Sequence, residues 1–442
     1  MSMEQKQQVL DQAKAAIENT SAHKNLQLLF DGGVFSEIDA YAKSENGYAE
    51  VIAAHGTANG CPIFAFAQNS DIAGGAMSTA QAAKLRKLYD LAVKTGTPVV
   101  GLYASTGARL TQGVDMLSSF GSILNSVSTL SGVVPQISVV LGPCLGIGAL
   151  NASGADFVIL SEKAQLSLAT NGEGGGCADA EKYGISHLTA KNTEDAIEKA
   201  RTLLGFMPSN NLSLAPAADT DEPEDPQNTD VIKAVFDNGS FLELQSAFGK
   251  NAVVGFARLY GSVTGVVKTN GQTLMRDDCA KIARFVKFCD AFTIPVVTFA
   301  DSKGFGCLKA ASHLTAAYAD ATTVKVTVIT GEAYGAFYVA VAGSGANTDV
   351  TLAWADAAIS PLPPEAGAEI MWEDQMNAPK DARQALVKTY KEKECSAFKA
   401  AANGYVQDVI APQDTRSKLF AALDMLSGKR VSRLPKKHGT IL

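Results

Sequence analysis

The sequence predicts an α/β protein of two similar domains, each assembled from ββα units around a mixed sheet. Three observations carry that expectation. The chain repeats itself: FDGGVFSEID from Phe30 returns as FDNGSFLELQ from Phe236, and TPVVGLYASTGAR from Thr97 returns as IPVVTFADSKGFG from Ile294. PQISVVLGPCLGIGA from Pro135 returns as VKVTVITGEAYGAFY from Val324, and ADFVILSEKAQLSLA from Ala155 as TDVTLAWADAAISPL from Thr348. Blocks that recur in one order at a spacing of about 200 residues mark a duplicated domain. Secondly, short apolar β-branched runs alternate with helix-periodic stretches, the pattern of βαβ units in a largely parallel sheet. Thirdly, 442 residues suffice for two cores of ordinary size.

Taken in order, residues to about Thr20 read as an amphipathic helix with Val9, Ala13, Ala16 and Ile17 on one side. YAEVIAAHGTANGCPIFAFAQ reads as a two-strand hairpin, as does AVVGFARLYGSVTGVVKTN in the second copy. TAQAAKLRKLYDLAVKTG follows as a helix with Ala83, Leu85, Leu88, Leu91 and Ala92 inward, closed by Gly96. Its counterpart, DDCAKIARFVKFCDAFT, turns in Ile282, Phe285, Val286 and Phe288. VVGLYA, ISVVLG and FVILS are buried strands, matched by VVTFAD, VKVTVIT and VTLAW. Residues 208–230, rich in Pro, Asp and Asn, have linker composition. The domains are therefore expected at 1–207 and 231–442, the second ending in the basic tail RVSRLPKKHGTIL.

A chain that is 46% hydrophobic and 19% charged is globular rather than disordered. Net charge −7 without a sustained basic run argues against nucleic acid as a partner. Seven scattered cysteines without CxxC spacing, and five histidines apart from them, give no metal pattern and suit a reducing, cytoplasmic setting. The polar N-terminus carries no signal-like apolar core, and no run is long enough to span a membrane.

Two glycine-containing blocks follow strands and open helices: GPCLGIGA at 142–149 and GEAYGAFY at 331–338. Backbone N–H groups at a helix start lack partners within the helix. Small residues there let a ligand oxygen approach, and such donors can form an oxyanion hole. The competing reading is a tight turn that needs small residues only for packing. STGARLTQG at 105–113 could set Arg109 beside a phosphate or pantetheine, or leave it as a solvated loop residue. Asp301, Ser302, Lys303 and Gly304 are its counterpart. Glu332 is a possible general base or merely a carboxylate that favours a helix dipole. No Ser/His/Asp order, HExxH, Walker sequence or GxGxxG stands out.

These residues resemble the carboxyltransferase subunits of biotin-dependent acyl-CoA carboxylases and decarboxylases, the group of the propionyl-CoA carboxylase β chain and the methylmalonyl-CoA carboxyltransferase large subunit. The resemblance lies in GGAMSTAQAAKLRKLYDLAVKTGTPVVGL, GARLTQGV, SGVVPQISVVLGPC, VVGFARLYGSVTGVV, KIARFVKFCDAFTIPVVTFAD, VKVTVITGEAYGAFY and the closing KKHG. It runs from about Leu29 to the end. It implies a duplicated crotonase-like (ClpP/crotonase) ββα superhelix. It also implies carboxyl transfer between N1′ of biotin, on a separate carrier protein, and the α-carbon of an acyl-CoA. Two oxyanions form in that chemistry, so two sets of N–H donors are needed and no side-chain base is required. The family match assigns the biotin carbonyl to Gly146 and Ile147, and the acyl-thioester oxygen to Gly335, Ala336 and Phe337. Coenzyme A would lie by Ser105, Gly107, Ala108 and Arg109, with Gly304, Phe305 and Val339 in the substrate pocket. No metal is implied.

The implied partners are a biotin carboxyl carrier protein and either a biotin carboxylase or a membrane decarboxylase subunit. The implied assembly is a homo-oligomer, a hexamer built from dimers in which the first domain of one subunit stacks on the second of another. Several positions depart from the family pattern. The usual second glycine of each turn is Ile147 or Ala336, Ser-Gly-Gly-Ala-Arg becomes Ser105-Thr106-Gly107-Ala108-Arg109, and Val-Pro-Gly-Phe becomes Ser302-Lys303-Gly304-Phe305. Val339 replaces a frequent Asp. A non-catalytic scaffold on the same fold, or a crotonase-type hydratase or hydrolase using Glu332, are the alternative readings.

Overall fold

The computed structural model describes residues 2–442 except 43, 45, 46, 49, 347, 378, 432, 433, 436–439, 441 and 442. The closing KKHG of the family resemblance (436–439) lies outside the described residues. The chain forms two compact units, Met1–Pro216 and Ala217–Leu442.

Unit 1 carries β1 (Phe35–Ile38), β2 (Val51–Ala58), β3 (Cys61–Gln68), β4 (Val99–Ser105), β5 (Gln136–Leu145), β6 (Phe157–Ser161), β7 (Gln165–Ser167) and β8 (Leu188–Ala190). Their order in the sheet is β1-β2-β3-β4-β5-β6-β8, with β7 on the far end of β5. Unit 2 repeats the plan with β9 (Leu242–Leu244), β10 (Ala252–Leu259), β11 (Ser262–Thr269), β12 (Val296–Ser302), β13 (Lys325–Tyr334), β14 (Val350–Trp354), β15 (Ala358–Ser360) and β16 (Asp408–Ile410). It too is eight-stranded, ordered β16-β14-β13-β12-β11-β10-β9, with β15 beside β13. The leading hairpins β2–β3 and β10–β11 are antiparallel, and β3–β4–β5–β6 and β11–β12–β13–β14 are parallel. Each sheet is therefore mixed.

Both hairpins turn on two residues with positive φ, Asn59 (52°) with Gly60 (75°) and Tyr260 (48°) with Gly261 (78°), the primed turn that matches strand twist. The repeated FD motif explains how these turns are held. Asp31 accepts the N–H groups of Asn59 and Gly60, both at 2.9 Å, and Arg201 Nη2 at 2.8 Å. Asp237 accepts those of Tyr260 and Gly261 at 3.0 and 2.7 Å, and Arg416 Nη2 at 2.8 Å. Each arginine belongs to the last helix of its unit, Thr193–Leu204 or Thr415–Met425, so one carboxylate ties the hairpin tip to the end of the unit.

Helices Thr79–Thr95 and Arg276–Ala291 pack on their sheets. In the first, Leu85, Leu88 and Ala92 are buried as the periodicity predicts, but Ala83 is exposed; Ala82 and Tyr89 take the inward face. The N-terminal helix Met3–Glu18 buries only Ala13 and Ile17, a narrower stripe than expected, and leaves Val9 half exposed. The linker-like stretch is docked rather than free. Asn210 Nδ2 donates to Gly96 O at 2.8 Å, while Ala218 N donates to Gly261 O at 3.1 Å and Thr220 Oγ1 bonds Asp237. The seven cysteines are all free. Among the described residues, no helix is long and apolar enough to cross a membrane.

Candidate functional site

The glycine-containing blocks resolve into strand end, one strained glycine and a short helix. β5 runs on to Leu145 and β13 to Tyr334, so Gly142 and Gly331 lie inside strands and not in the turns the sequence suggested. Gly331 is needed all the same, because a Cβ there would sit 2.4 Å from the Asp301 carboxyl group. The turns themselves are Gly146 (φ 60°, ψ −131°) and Gly335 (φ 48°). A Cβ on Gly146 would touch nothing, so its backbone conformation demands glycine; on Gly335 it would also press within 2.8 Å of Pro361 O. Helices Ile147–Ser153 and Gly335–Val341 start there. Ile147 and Ala336, the residues that replace a glycine, are exposed at equivalent places, whereas Phe337 is buried. Gly146 N–H is already donated to Ser167 O at 2.8 Å, which leaves Ile147 as the outward donor of that pair.

Beside each turn stands the loop that leaves the neighbouring strand. Ser105 Oγ accepts Gly107 N–H at 3.2 Å, and Ser302 Oγ accepts Gly304 N–H at 3.2 Å. Gly107 (φ 117°) and Gly304 (φ 135°) both hold backbone that favours glycine. Met77 N donates to Gly107 O at 2.8 Å and Arg109 N to Met77 O at 2.9 Å. Leu274 N donates to Gly304 O at 2.9 Å and Gly306 N to Leu274 O at 2.8 Å, the same clamp repeated. Loop and turn meet in each unit: a Cβ on Gly107 would lie 3.7 Å from Leu145 O, and the rings of Phe305 and Phe337 are 5.8 Å apart. Val339 lies exposed on the helix after the second turn, and Ala108 is half-buried.

Arg109 differs from both roles read from sequence. Its side chain is buried and forms an ion pair with Glu50, and Nη2 donates to Ala76 O at 3.3 Å. Glu50 also accepts Ser78 Oγ at 2.6 Å and Gln81 Nε2 at 3.3 Å. Burial pushes the Glu50 carboxyl up, but Ser78, Ser44 and Arg109 outweigh it and hold it below the usual range. The guanidinium is thus neither solvated nor turned outward. Glu50, Ser78 and Gln81 carried no signal as a motif. Their clustering depends on hairpin and helix meeting in space.

Glu332 bonds Lys391 Nζ at 2.8 Å, and its N–H is taken by Asp301 Oδ1 at 2.8 Å. Burial raises the Glu332 carboxyl, yet Lys391 lowers it further, so it is held ionised. Among the described residues, no three metal-ligating side chains converge. What each unit presents at this place is a glycine turn from strand end to helix start.

Comparison with known proteins shows the family. Residues 18–441 match the family of the carboxyl transferase domain. The methylmalonyl-CoA decarboxylase subunit alpha of Veillonella parvula is 35% identical over 476 residues, covering 95% of this chain and 92% of that one. The propionyl-CoA carboxylase carboxyltransferase subunit of Haloferax mediterranei is 34% identical, covering 95% and 93%. Among solved structures, transcarboxylase 12S, a hexamer with methylmalonyl-coenzyme A bound, superposes with TM-score 0.92 at 30% identity, covering 100% and 99%. The chain belongs to the carboxyl transferase domain family, with the crotonase-like fold. It is an acyl-CoA carboxyltransferase of the biotin-dependent carboxylase and decarboxylase group.

Proposed function

We propose that the two turns divide the reaction between them. The first turn, through Ile147 N–H at the start of its helix, holds the carbonyl of biotin. The second, through Gly335, Ala336 and Phe337, holds the thioester oxygen of the acyl-CoA. The observation that supports this most is the repetition of one arrangement: a serine-pinned glycine loop beside a glycine turn, at Ser105, Gly107 and Gly146 and again at Ser302, Gly304 and Gly335. Biotin, carried by a separate protein, supplies N1′ as carboxyl donor or acceptor. When the acyl-CoA α-carbon loses a proton or a carboxyl group, charge moves to the thioester oxygen. Fixed N–H donors stabilise the enolate without reorganising. No side-chain base is assigned, since Glu332 is engaged by Lys391.

With Arg109 turned to Glu50, we assign coenzyme A contact to the backbone of Ser105, Gly107 and Ala108 and give Arg109 the task of holding their loop. Phe305 and Val339 present an apolar face to the acyl group, and a short carboxyacyl-CoA of the methylmalonyl class suits it, as in transcarboxylase 12S. We infer a hexamer by the same likeness. The partners inferred are a biotin carboxyl carrier protein and a biotin carboxylase or a membrane decarboxylase subunit, with the chain itself in the cytoplasm. Incubation with free biotin and malonyl-, methylmalonyl- and glutaconyl-CoA tests the proposal. Biotin-dependent decarboxylation of at least one is expected. If none is turned over with biotin or a carrier, the chain is a scaffold on this fold.

A further inference from the structure

We propose that Asn151 and the cavity beside it hold one internal water molecule, which makes Asn151 a positioning residue for the first turn. Asn151 lies on helix Ile147–Ser153, four residues after Ile147 and so one turn along the same face. It is 2% exposed, and both its Oδ1 and its Nδ2 are buried with no hydrogen-bond partner in the protein. A buried amide with neither end satisfied loses all its hydration and gains nothing in return, so native proteins rarely tolerate one.

The surroundings supply the remedy. Asn151 lines a cavity with Tyr89, Tyr103, Gln136 and Ser138, all of them buried. The cavity offers about 10 Å³ to the centre of a water-sized sphere, room for one water. The Tyr103 hydroxyl interacts there with Ser138 and Tyr89. A water placed among these groups finds a donor and an acceptor on Asn151 and hydroxyl oxygens opposite, the two to four polar partners an internal water needs.

Unit 2 shows the alternative. Counting from the first residues of β12 and β13 and from Gly335, Tyr103 corresponds to Ala300, Ser138 to Thr327 and Asn151 to Ala340. There the protein closes its own bonds: Thr298 Oγ1 meets Tyr318 Oη at 2.8 Å, and Thr327 Oγ1 donates to Val341 O. Unit 1 places an amide beside a water-sized space below its donor turn, where unit 2 has Ala340. Anchored through that water to β4 and β5, the helix is fixed in rotation about its axis, and with it the direction of Ile147 N–H.

This inference rests on the biotin-side reading of the turn, and its test separates the two. A high-resolution crystal structure of the whole chain should show one ordered peak within hydrogen-bond reach of both Asn151 amide atoms; an empty cavity overturns the water. Asn151→Ala should raise the KM for free biotin several-fold and leave the KM for acyl-CoA unchanged, since small misplacement of a donor is costly. Lowered thermal stability with both constants unchanged overturns the positioning role. Should Asn151→Ala fold poorly, Asn151→Leu fills the space and removes both unsatisfied groups, and is expected to show the same biotin shift without the water. Wild-type protein with no biotin-dependent turnover removes the functional reading and the positioning role together, while the density still decides the water.

Discussion

The two units share a backbone plan and differ in what holds it. In unit 1 the start of the helix after the hairpin is bound by a buried charge pair, Glu50 with Arg109, joined by Ser78 and Gln81. In unit 2 the same place holds Asn251 and Asp278. Asp278 accepts the N–H groups of Asn251 at 3.0 Å and Met275 at 2.7 Å, and Gly306 stands where Arg109 stood. A lysine survives in both, Lys84 donating to Val51 O at 3.1 Å and Lys281 to Ala252 O at 2.8 Å. Asp301, which braces β13 through Glu332 N–H, has Ala104 as its counterpart. The connection 168–187 after β7 becomes 361–407 after β15, where helices Pro364–Met371 and Lys380–Glu394 pack round Tyr334. Backbone turns persisted after duplication while the side chains beneath them diverged. Duplicated geometry with divergent supports is compatible with the proposal that the two turns hold different ligands.

Loss of the buried charge pair should weaken unit 1 most. Arg109→Ala leaves Glu50 ionised and buried and should cost about 3–5 kcal/mol in denaturant unfolding. Asn251→Ala in unit 2 keeps the backbone bond but removes two side-chain ones, Nδ2 to Asp278 Oδ2 at 3.3 Å and to Thr273 O at 3.2 Å, and should cost about 1.5–3 kcal/mol. Equal losses would mean that the two units are braced alike after all.

Acid comes next. The N–H of Gly60 and the Arg201 guanidinium, against a modest cost of burial, pull Asp31 from the usual 3.8 to about 2. A carboxyl held low stabilises the fold above its unfolded value, and that stability fades as pH falls from 3.8 toward 2. Burial pushes Asp237 up, but Thr220, Gly261 and Arg416 more than reverse it, so both hairpin clamps weaken in the same direction. Thermal melts of Asp31→Asn should therefore fall less steeply than wild type over that window. An unchanged slope would remove the clamp from the acid response.

The smallest effect is expected at Glu332. Its pair with Lys391 is partly exposed, so Glu332→Gln should cost no more than about 1 kcal/mol. Turnover should stay within a few-fold. A loss of about 100-fold would instead favour crotonase-type acid–base catalysis by this carboxylate.

Much of this was legible in the sequence because duplication writes each element twice. Strands, hairpins and helix phases followed from period and repeat, and the glycines at 107, 146, 304 and 335 stood out for their neighbours. Four things were hidden. The extent of β5 and β13 was underestimated because strand and turn share small residues, as at Gly142 and Gly331. Ala83 was placed inward because alanines at 82 and 83 leave the helix phase ambiguous by one residue. The partner of Arg109 lies 59 residues earlier, at the start of the first hairpin, and Asn151 lies unmarked in ALNASG. Long-range pairings and cavities leave no periodicity to read.

Two-substrate kinetics of Ile147→Pro beside Ala336→Pro decide whether the two turns serve different ligands. Each proline deletes one N–H near a helix start, where proline is tolerated, and the rate should fall by about 100-fold in either variant. Ile147→Pro should raise the KM for biotin alone and Ala336→Pro the KM for acyl-CoA alone. Two folded variants that shift the same constant, or one that keeps the wild-type rate, would contradict that division.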